Sequence, residues 1–310
     1  KGQEEEVLAS DLVVDATGRG SKSLRWLDEL GLSRPEEEFV DSHSTYASRF
    51  YRLPPTGGRP EDWWWRGMMI DAAPPDHPHF GLLMPIENEG FVVTLCGINR
   101  NHPPTDEQGF LRFVKNLRSD ALANVLEICE PASDIHGSRS LFNRARRFDQ
   151  WNERLDGFVV TGDASMALNA LHGQGISAHA ASSAVLGRCL ERVGPNASAL
   201  PKLFHREQRK FQKMVWDLAV GADCQWPGTE GKRPLAFKLG GWFAREGFRA
   251  AHEIPSLKKT FGPLYHLQVS PYSLLKPRVI ATILWASVRR RLKGGRVLPA
   301  ELSSPRLPQG

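Results

Sequence analysis

The stretch from Asp156 to Leu190, DGFVVTGDASMALNALHGQGISAHAASSAVLGRCL, constrains the fold more than any other part of the chain. A short aliphatic run closes on Gly162-Asp163, a loop then ends in Gly173-Gln174-Gly175, and a segment rich in alanine and serine follows. An apolar run that ends on a carboxylate predicts a strand delivering that acid to its carboxyl end, where open α/β sheets place ligands. Gly173 and Gly175 predict a backbone open to close approach, followed by a helix start with free N–H groups and a partial positive charge. One acid beside several amides suits a bound cofactor. A lone Gly-Asp reads equally as a turn or capping aspartate, and a run of small residues also packs helices for structural reasons. The order of the three features favours the ligand reading.

Several function classes are excluded by composition. The net charge of +5 over 310 residues is modest and the charges are of mixed sign, so nothing demands nucleic acid. Cys96, Cys129, Cys189 and Cys224 are scattered, with no spacing for zinc, an iron–sulfur cluster or a disulfide framework. No metal is expected, and a cytoplasmic location is. The opening KGQEEEVLASDLVVDATG lacks a basic region followed by a long apolar one, so it reads as an interior segment and not as a secretory signal.

Leu12, Val13 and Val14 predict a strand that breaks at Thr17-Gly18-Arg19-Gly20, and Leu24, Leu27 and Leu30 predict a helix that stops at Gly31. From Thr45 to about Ile98 the runs STYASRFYRL, WWWRGMMI, FGLLMPI and GFVVTLCGI, separated by Pro/Gly turns, predict an antiparallel sheet. Thr105 or Asp106 is placed to cap a helix through Phe110, Phe113, Val114 and Leu117, with another through Leu122, Val125 and Leu126. Gly157 to Thr161 resumes the valine-rich character of Leu12 to Val14, that of parallel strands buried on both faces. Leu200, Phe204, Phe211, Val215 and Leu218 mark a long amphipathic helix, and the remaining tail is helical.

The blocks DLVVDATGRGS and GFVVTGDASMALNALHGQGIS resemble two signatures of FAD-dependent monooxygenases of the aromatic-hydroxylase and squalene-epoxidase type. That resemblance implies an α/β (α+β overall) fold in which an incomplete Rossmann-like FAD domain is interrupted by an antiparallel substrate domain. The expected boundaries are 1–24 and 155–193 for the FAD domain, 25–154 for the substrate domain and 194–310 for a C-terminal helical region. FAD-binding roles fall on Thr17, Gly18, Gly162, Asp163, Ala164, Gly173, Gln174, Gly175 and Ile176, with Asp163 on the ribitol. Gly175 and Ile176, at the helix start, are expected to stabilise negative charge on the reduced flavin, with His172 facing the ring. The activity implied is hydroxylation or epoxidation of a hydrophobic small molecule through a flavin hydroperoxide, with electrons from NAD(P)H or a partner reductase.

Two departures stand out locally: Ala170 where the family often has Pro, and Ser165 where the hydroxylases often have His. A larger one is that no GxGxxG for the ADP half of FAD occurs, and GRGSKS lacks its spacing. A truncated chain is expected, with about a hundred residues or more ahead of Lys1. Arg49 and Tyr51 are candidates to line a substrate chamber, or simply alternate with Phe50 on a sheet. Trp63, Trp64 and Trp65 cannot all face one pocket, which favours core packing.

The alternatives are an FAD-dependent reductase or dehydrogenase of prenyl-type substrates and a non-catalytic, membrane-associated scaffold. Halogenation ranks third, because DWWWRGMMI does not match the halogenase WxWxIP element. The tail segment VIATILWASV, Val279 to Val288, lies among Lys276, Arg278, Arg289, Arg290, Arg291, Lys293 and Arg296. It is too short to span a bilayer and suits peripheral contact with an anionic membrane; a C-terminal helix with a solvated basic end is the other reading.

Overall fold

The computed structural model describes residues 7–53, 65–87, 90–139, 141–232 and 235–292. Trp63 and Trp64 lie outside the described residues. In chain order the elements are β1 (Val13–Asp15), α1 (Ser23–Glu29), β2 (Glu37–Asp41), β3 (Thr45–Arg52), β4 (Met68–Ile70), β5 (His79–Pro85) and β6 (Gly90–Gly97). They continue with α2 (Glu107–Lys115), α3 (Ala121–Leu126), β7 (Glu130–Pro131), β8 (His136–Ser138), β9 (Asn143–Arg146), β10 (Phe158–Val160) and β11 (Met166–Ala167). The last are α4 (Gly175–Val193), α5 (Leu200–Asp223), β12 (Glu230–Gly231), α6 (Leu235–Glu253), α7 (Pro255–Tyr265) and α8 (Pro277–Leu292).

This mixed α/β chain forms two compact units. One takes in the residues up to Val40 and Asn143–Val220, the other Asp41–Phe142 and the residues from Gly221 onward. The divisions therefore fall near 40, 142 and 220, where the sequence reading has 24, 154 and 193.

In the first unit β1 and β10 pair in parallel, with Val13 opposite Phe158 and Asp15 opposite Val160. β10 is buried on both faces as expected: Phe158 and Val160 pack with Leu27, Phe148 and Ala164, while Val159 packs with Val185, Cys189, Leu200 and Phe204. β1 departs from the expectation. Val13 and Val14 are 49% and 41% exposed, because among the described residues β1 has a strand neighbour on one side only. The sequence reading has no counterpart for β2, β9 and β11, which pair antiparallel with Glu37 opposite Arg146 and Met166 opposite Ala145.

The second unit holds the antiparallel sheet, ordered β4-β5-β6-β3-β7 with β8 also on β3. Alternate residues Ala47, Tyr51, Val93 and Leu95 turn to one face, where Phe110, Phe113, Val114, Leu117, Leu122 and Val125 of the α2–α3 segment cover them. Each such side chain contributes roughly 1.5–3 kcal/mol by leaving water. Gly81 marks how closely sheet and helix approach, since a Cβ there would stand 2.6 Å from Leu117 Cδ1. Trp65 joins this core, in line with the packing reading. Asp106, rather than Thr105, caps α2 by accepting from Gly109 N at 2.8 Å.

Candidate functional site

The first unit brings the two signature blocks together through their strands. β1 ends on Asp15, which is buried and accepts hydrogen bonds from Thr17 N (3.0 Å), Thr17 Oγ1 (2.6 Å) and Ser21 Oγ (2.5 Å). Burial pushes the Asp15 carboxyl up, but the hydrogen bonds from Ser21, Thr17 and Ser23 outweigh it and hold the group below its ordinary value. Thr17 thus spends both its donors on fixing the turn. Gly18, at φ +83°, takes the left-handed backbone that this turn requires.

β10 delivers the second turn, Gly162–Ala164, in which Gly162 is also left-handed at φ +61°. The helix α5 holds it from behind: Gln208 Nε2 donates to Val160 O (3.1 Å), and Thr161 Oγ1 donates to Gln208 Oε1 (3.1 Å). Gln208 and Gln212 also donate to Ser165 Oγ. The serine that departs from the hydroxylase pattern is therefore a buried acceptor in this network.

Asp163 itself points outward, with its side chain 36% exposed. His179 Nε2 lies 2.7 Å from its Oδ1, and Arg19 Nε lies 4.0 Å from its Oδ2. His179 Nδ1 is buried with no hydrogen-bond partner, and Nε2 meets the Asp163 carboxylate, which can only accept, so the ring donates to Asp163. That hydrogen bond lowers the Asp163 carboxyl; burial works against it, and the charges of His179, Arg19 and Arg144 add to the lowering. The acid is held ionised and oriented. Arg19 reaches further, donating through Nη2 to Leu168 O at 2.5 Å, while Arg144 Nη2 donates to Arg19 O at 2.9 Å.

The bend that precedes α4 is fixed by Asn169, whose side chain accepts from Leu171 N at 3.1 Å, and by Gly173 at φ +66°. Gln174, the residue before the helix, makes no side-chain cap, and the first helical bond runs from Ala178 N to Gln174 O. The N–H groups of Gly175, Ile176 and Ser177 therefore have no acceptor within the helix. A Cβ added at Gly162 or Gly173 would meet no atom within 4 Å, and one at Gly175 nothing nearer than His179 Nε2 at 3.8 Å. Both bends face open space. Ile176 is 88% exposed there. These residues fit a polyol at Asp163 and an electron-rich ring or phosphate at the helix start.

Ser177, Ala180, Ser183 and Ala184 lie exposed along α4, while Ala178, Ser182 and Val185 face the core. His172 ends the short turn before Gly173 and is half-buried. Arg49 and Tyr51 lie in the other unit. Arg49 donates to Ser133 O (2.9 Å) and Glu107 (3.1 Å), and Tyr51 is buried in the sheet core with Arg49 over its ring. Sequence reasoning passed over Asp15, Arg19, Arg144, Arg146 and His179. Of these, His179 lies four residues and so about one turn after Gly175, and Asp15 closes the aliphatic run Leu12 to Val14 as Asp163 closes its own.

No protein-family model matches the chain. Protein Rv3254 of Mycobacterium tuberculosis is 28% identical over 313 residues, an alignment that covers 99% of this chain and 64% of that protein. This chain thus spans about two thirds of that relative's length. Among solved structures, the flavin-dependent brominase Bmp2 matches with a TM-score of 0.59 at 15% identity, over 94% of this chain and 66% of that one. A triple mutant of Bmp2 gives 0.51 at 12% identity, over 93% and 63%. The chain shares the fold of this flavin-dependent brominase. At such identities the likeness carries the architecture and not the bromination.

Proposed function

We propose that the protein is an FAD-dependent monooxygenase that hydroxylates or epoxidises a hydrophobic small molecule, with NAD(P)H as electron donor. The observation that carries this reading is the ionised, outward-facing Asp163, held by His179 in the same unit as the uncapped, open start of α4. FAD, when bound, supplies the activation of O₂ and the transfer of one oxygen atom.

The chain's own residues bind and orient. Asp163 accepts the hydroxyls of the ribitol, each charge-assisted bond contributing roughly 1.5–3 kcal/mol. Gly162 and Gly173 shape the two bends, and Gly175 keeps the helix start open. The N–H groups of Gly175, Ile176 and Ser177 favour negative charge on the ring edge brought against them. Ile176 presents an apolar side chain beside them that excludes water once the space is filled.

The test uses the longest natural form of the protein and its visible absorbance after incubation with FAD. Uptake of flavin is expected, at least tenfold weaker after Asp163→Ala and after Gly175→Leu. A folded protein that takes up no FAD, or variants that bind it as tightly as the parent, overturns the reading. NAD(P)H-dependent oxygen consumption with an oxygenated product separates a monooxygenase from a reductase, which would turn over without O₂.

A further inference from the structure

The helix α8 carries a second apolar face that the unit around it does not use. Ile283, Ala286 and Ser287 are buried, and Arg290 turns the same way to donate to Glu246 Oε2 (2.7 Å) and Glu253 Oε1 (3.2 Å). Among the described residues, Arg290 is the one of the three consecutive arginines that pairs with acids inside the fold. The opposite face exposes Ala281, Leu284, Trp285, Val288 and Leu292, with Trp285 and Val288 each 56% and Leu292 83% exposed. At about 100° per residue these five positions share an arc of about 100°, centred nearly opposite the buried one. Leu275, just ahead of the helix, is also exposed.

Cations border that arc on both sides. Arg278 and Arg289 flank one edge and Arg291 the other, all exposed, with Lys276 just before the helix. Arg289 stacks over Trp285 with its guanidinium 5.2 Å from the ring centroid, which holds charge and indole together at the edge of the face. The segment from Lys276 to Leu292 contains no Asp or Glu. No helix among the described residues is long and apolar enough to cross a membrane. A short face of indole and aliphatic groups between rows of arginine is the chemistry of a helix lying in a headgroup layer.

We propose that α8 docks the protein on an anionic lipid surface, with Leu284, Trp285, Val288 and Leu292 entering the interface and Arg278, Arg289 and Arg291 meeting the headgroups. Charge decides between this occupant and a second copy of the chain. A two-fold self-contact through the face brings the same arginines against each other with no acid on the helix to offset them. An anionic bilayer supplies the opposite charge, at about 1 kcal/mol per basic residue near the surface, or about fivefold in partitioning each.

The experiment is co-sedimentation of the longest natural form of the protein with vesicles of phosphatidylcholine alone or with one third phosphatidylglycerol. Binding is expected on the anionic vesicles, weakening as salt is raised. Trp285→Ser with Val288→Ser, and separately Arg289→Gln with Arg291→Gln, should each lower partitioning at least tenfold. All four positions are exposed, and unchanged melting temperatures verify that the variants fold. Absence of binding at low salt, or variants that sediment like the parent, overturns the proposal. So does a dimer in analytical ultracentrifugation that the serine pair dissolves, since a second copy then covers the face. None of these readouts depends on FAD.

Discussion

The two compact units spend polar groups in opposite ways. In the first, Asp15, Ser21, Ser23, Asn143, Arg146, Ser165, Asn169, His205 and Gln208 are all buried, and most meet one another near the two signature turns. In the second, the sheet core is aliphatic and aromatic from Ala47 to Cys129, and buried polar groups such as Ser42, Ser44 and Glu246 lie outside that core. Burying polar groups is costly unless every one is paired, so a network of this kind adds little net stability for its size. What it adds is orientation. Asp163, His179 and the start of α4 keep their geometry because the turns beneath them have no alternative partners, whereas the sheet needs only density and apolar area.

The contrast breaks most readily in the apolar unit. Phe110 is fully buried against the sheet, and Phe110→Ala should cost about 4 kcal/mol in urea unfolding, the removed ring plus the cavity left behind. In the polar unit, Arg146 Nη1 donates to Ser21 Oγ (3.1 Å), Ser23 Oγ (3.0 Å) and Ala164 O (3.2 Å), and Nε donates to Glu37 (3.0 Å). Arg146→Met fills the space but removes the guanidinium donor to Ala164 O and Glu37, while Ser21 Oγ still accepts from Ser23 N, an expected loss of about 3 kcal/mol. FAD uptake should fall with it, even below the variant's melting temperature. A Met variant as stable as the parent and equally able to take up flavin would remove the claim that the network holds the site.

His205 sharpens the comparison through pH. Its Nε2 accepts from Val160 N at 3.1 Å, and burial pushes the imidazole down to about 4, with Asp149 opposing. In the unfolded chain the group titrates near 6.5. Between those values the unfolded state binds the extra proton, so stability is full above about 6.5 and falls as the pH drops toward 4, by up to about 3 kcal/mol. Asp15 and Asp149 are held below their ordinary value, so their contributions are lost as the pH falls below about 4, and the two windows separate. His205→Gln keeps an acceptor for Val160 and should flatten the upper window only, as read by melting temperature against pH.

Legibility in the sequence divides along the same line. Strands β3 to β6 of the sheet, α2 with its cap and the long α5 follow from periodicity and turn residues, because an apolar core imposes its period locally; the short β7 and β8 do not. Gly162-Asp163 and the Gly173 to Gly175 bend were equally readable, since each is defined within a few residues. β2 and β9 were not. Their sequences EEFVD and NRAR look solvent-exposed, yet Arg146 is buried because Ser21 and Ser23, more than a hundred residues earlier, complete its hydrogen bonds. Arg19 and Arg144 were hidden for the same reason. The exposed valines of β1 show the converse case: the run Leu12 to Val14 reads as buried, and burial depends on neighbours that a strand's own residues do not specify.

The smallest effect tests whether polar groups in the second unit matter beyond the ends of its elements. Asp106 accepts from Gly109 N, Glu107 follows in the first turn, and Arg112 and Lys115 occupy the last, so α2 is capped and its dipole is matched at both ends. Asp106→Ala leaves that N–H to water, and the expected loss is about 1 kcal/mol, with Asp106→Asn near neutral because its amide oxygen still accepts. Gly109 cannot rescue the turn by substitution, since a Cβ there would stand 2.5 Å from Pro104 Cβ. A loss for Asp106→Ala as large as that for Arg146→Met would mean that a surface cap in the apolar unit orders as much structure as the buried network does. Urea midpoints for the two variants, measured side by side, decide between these.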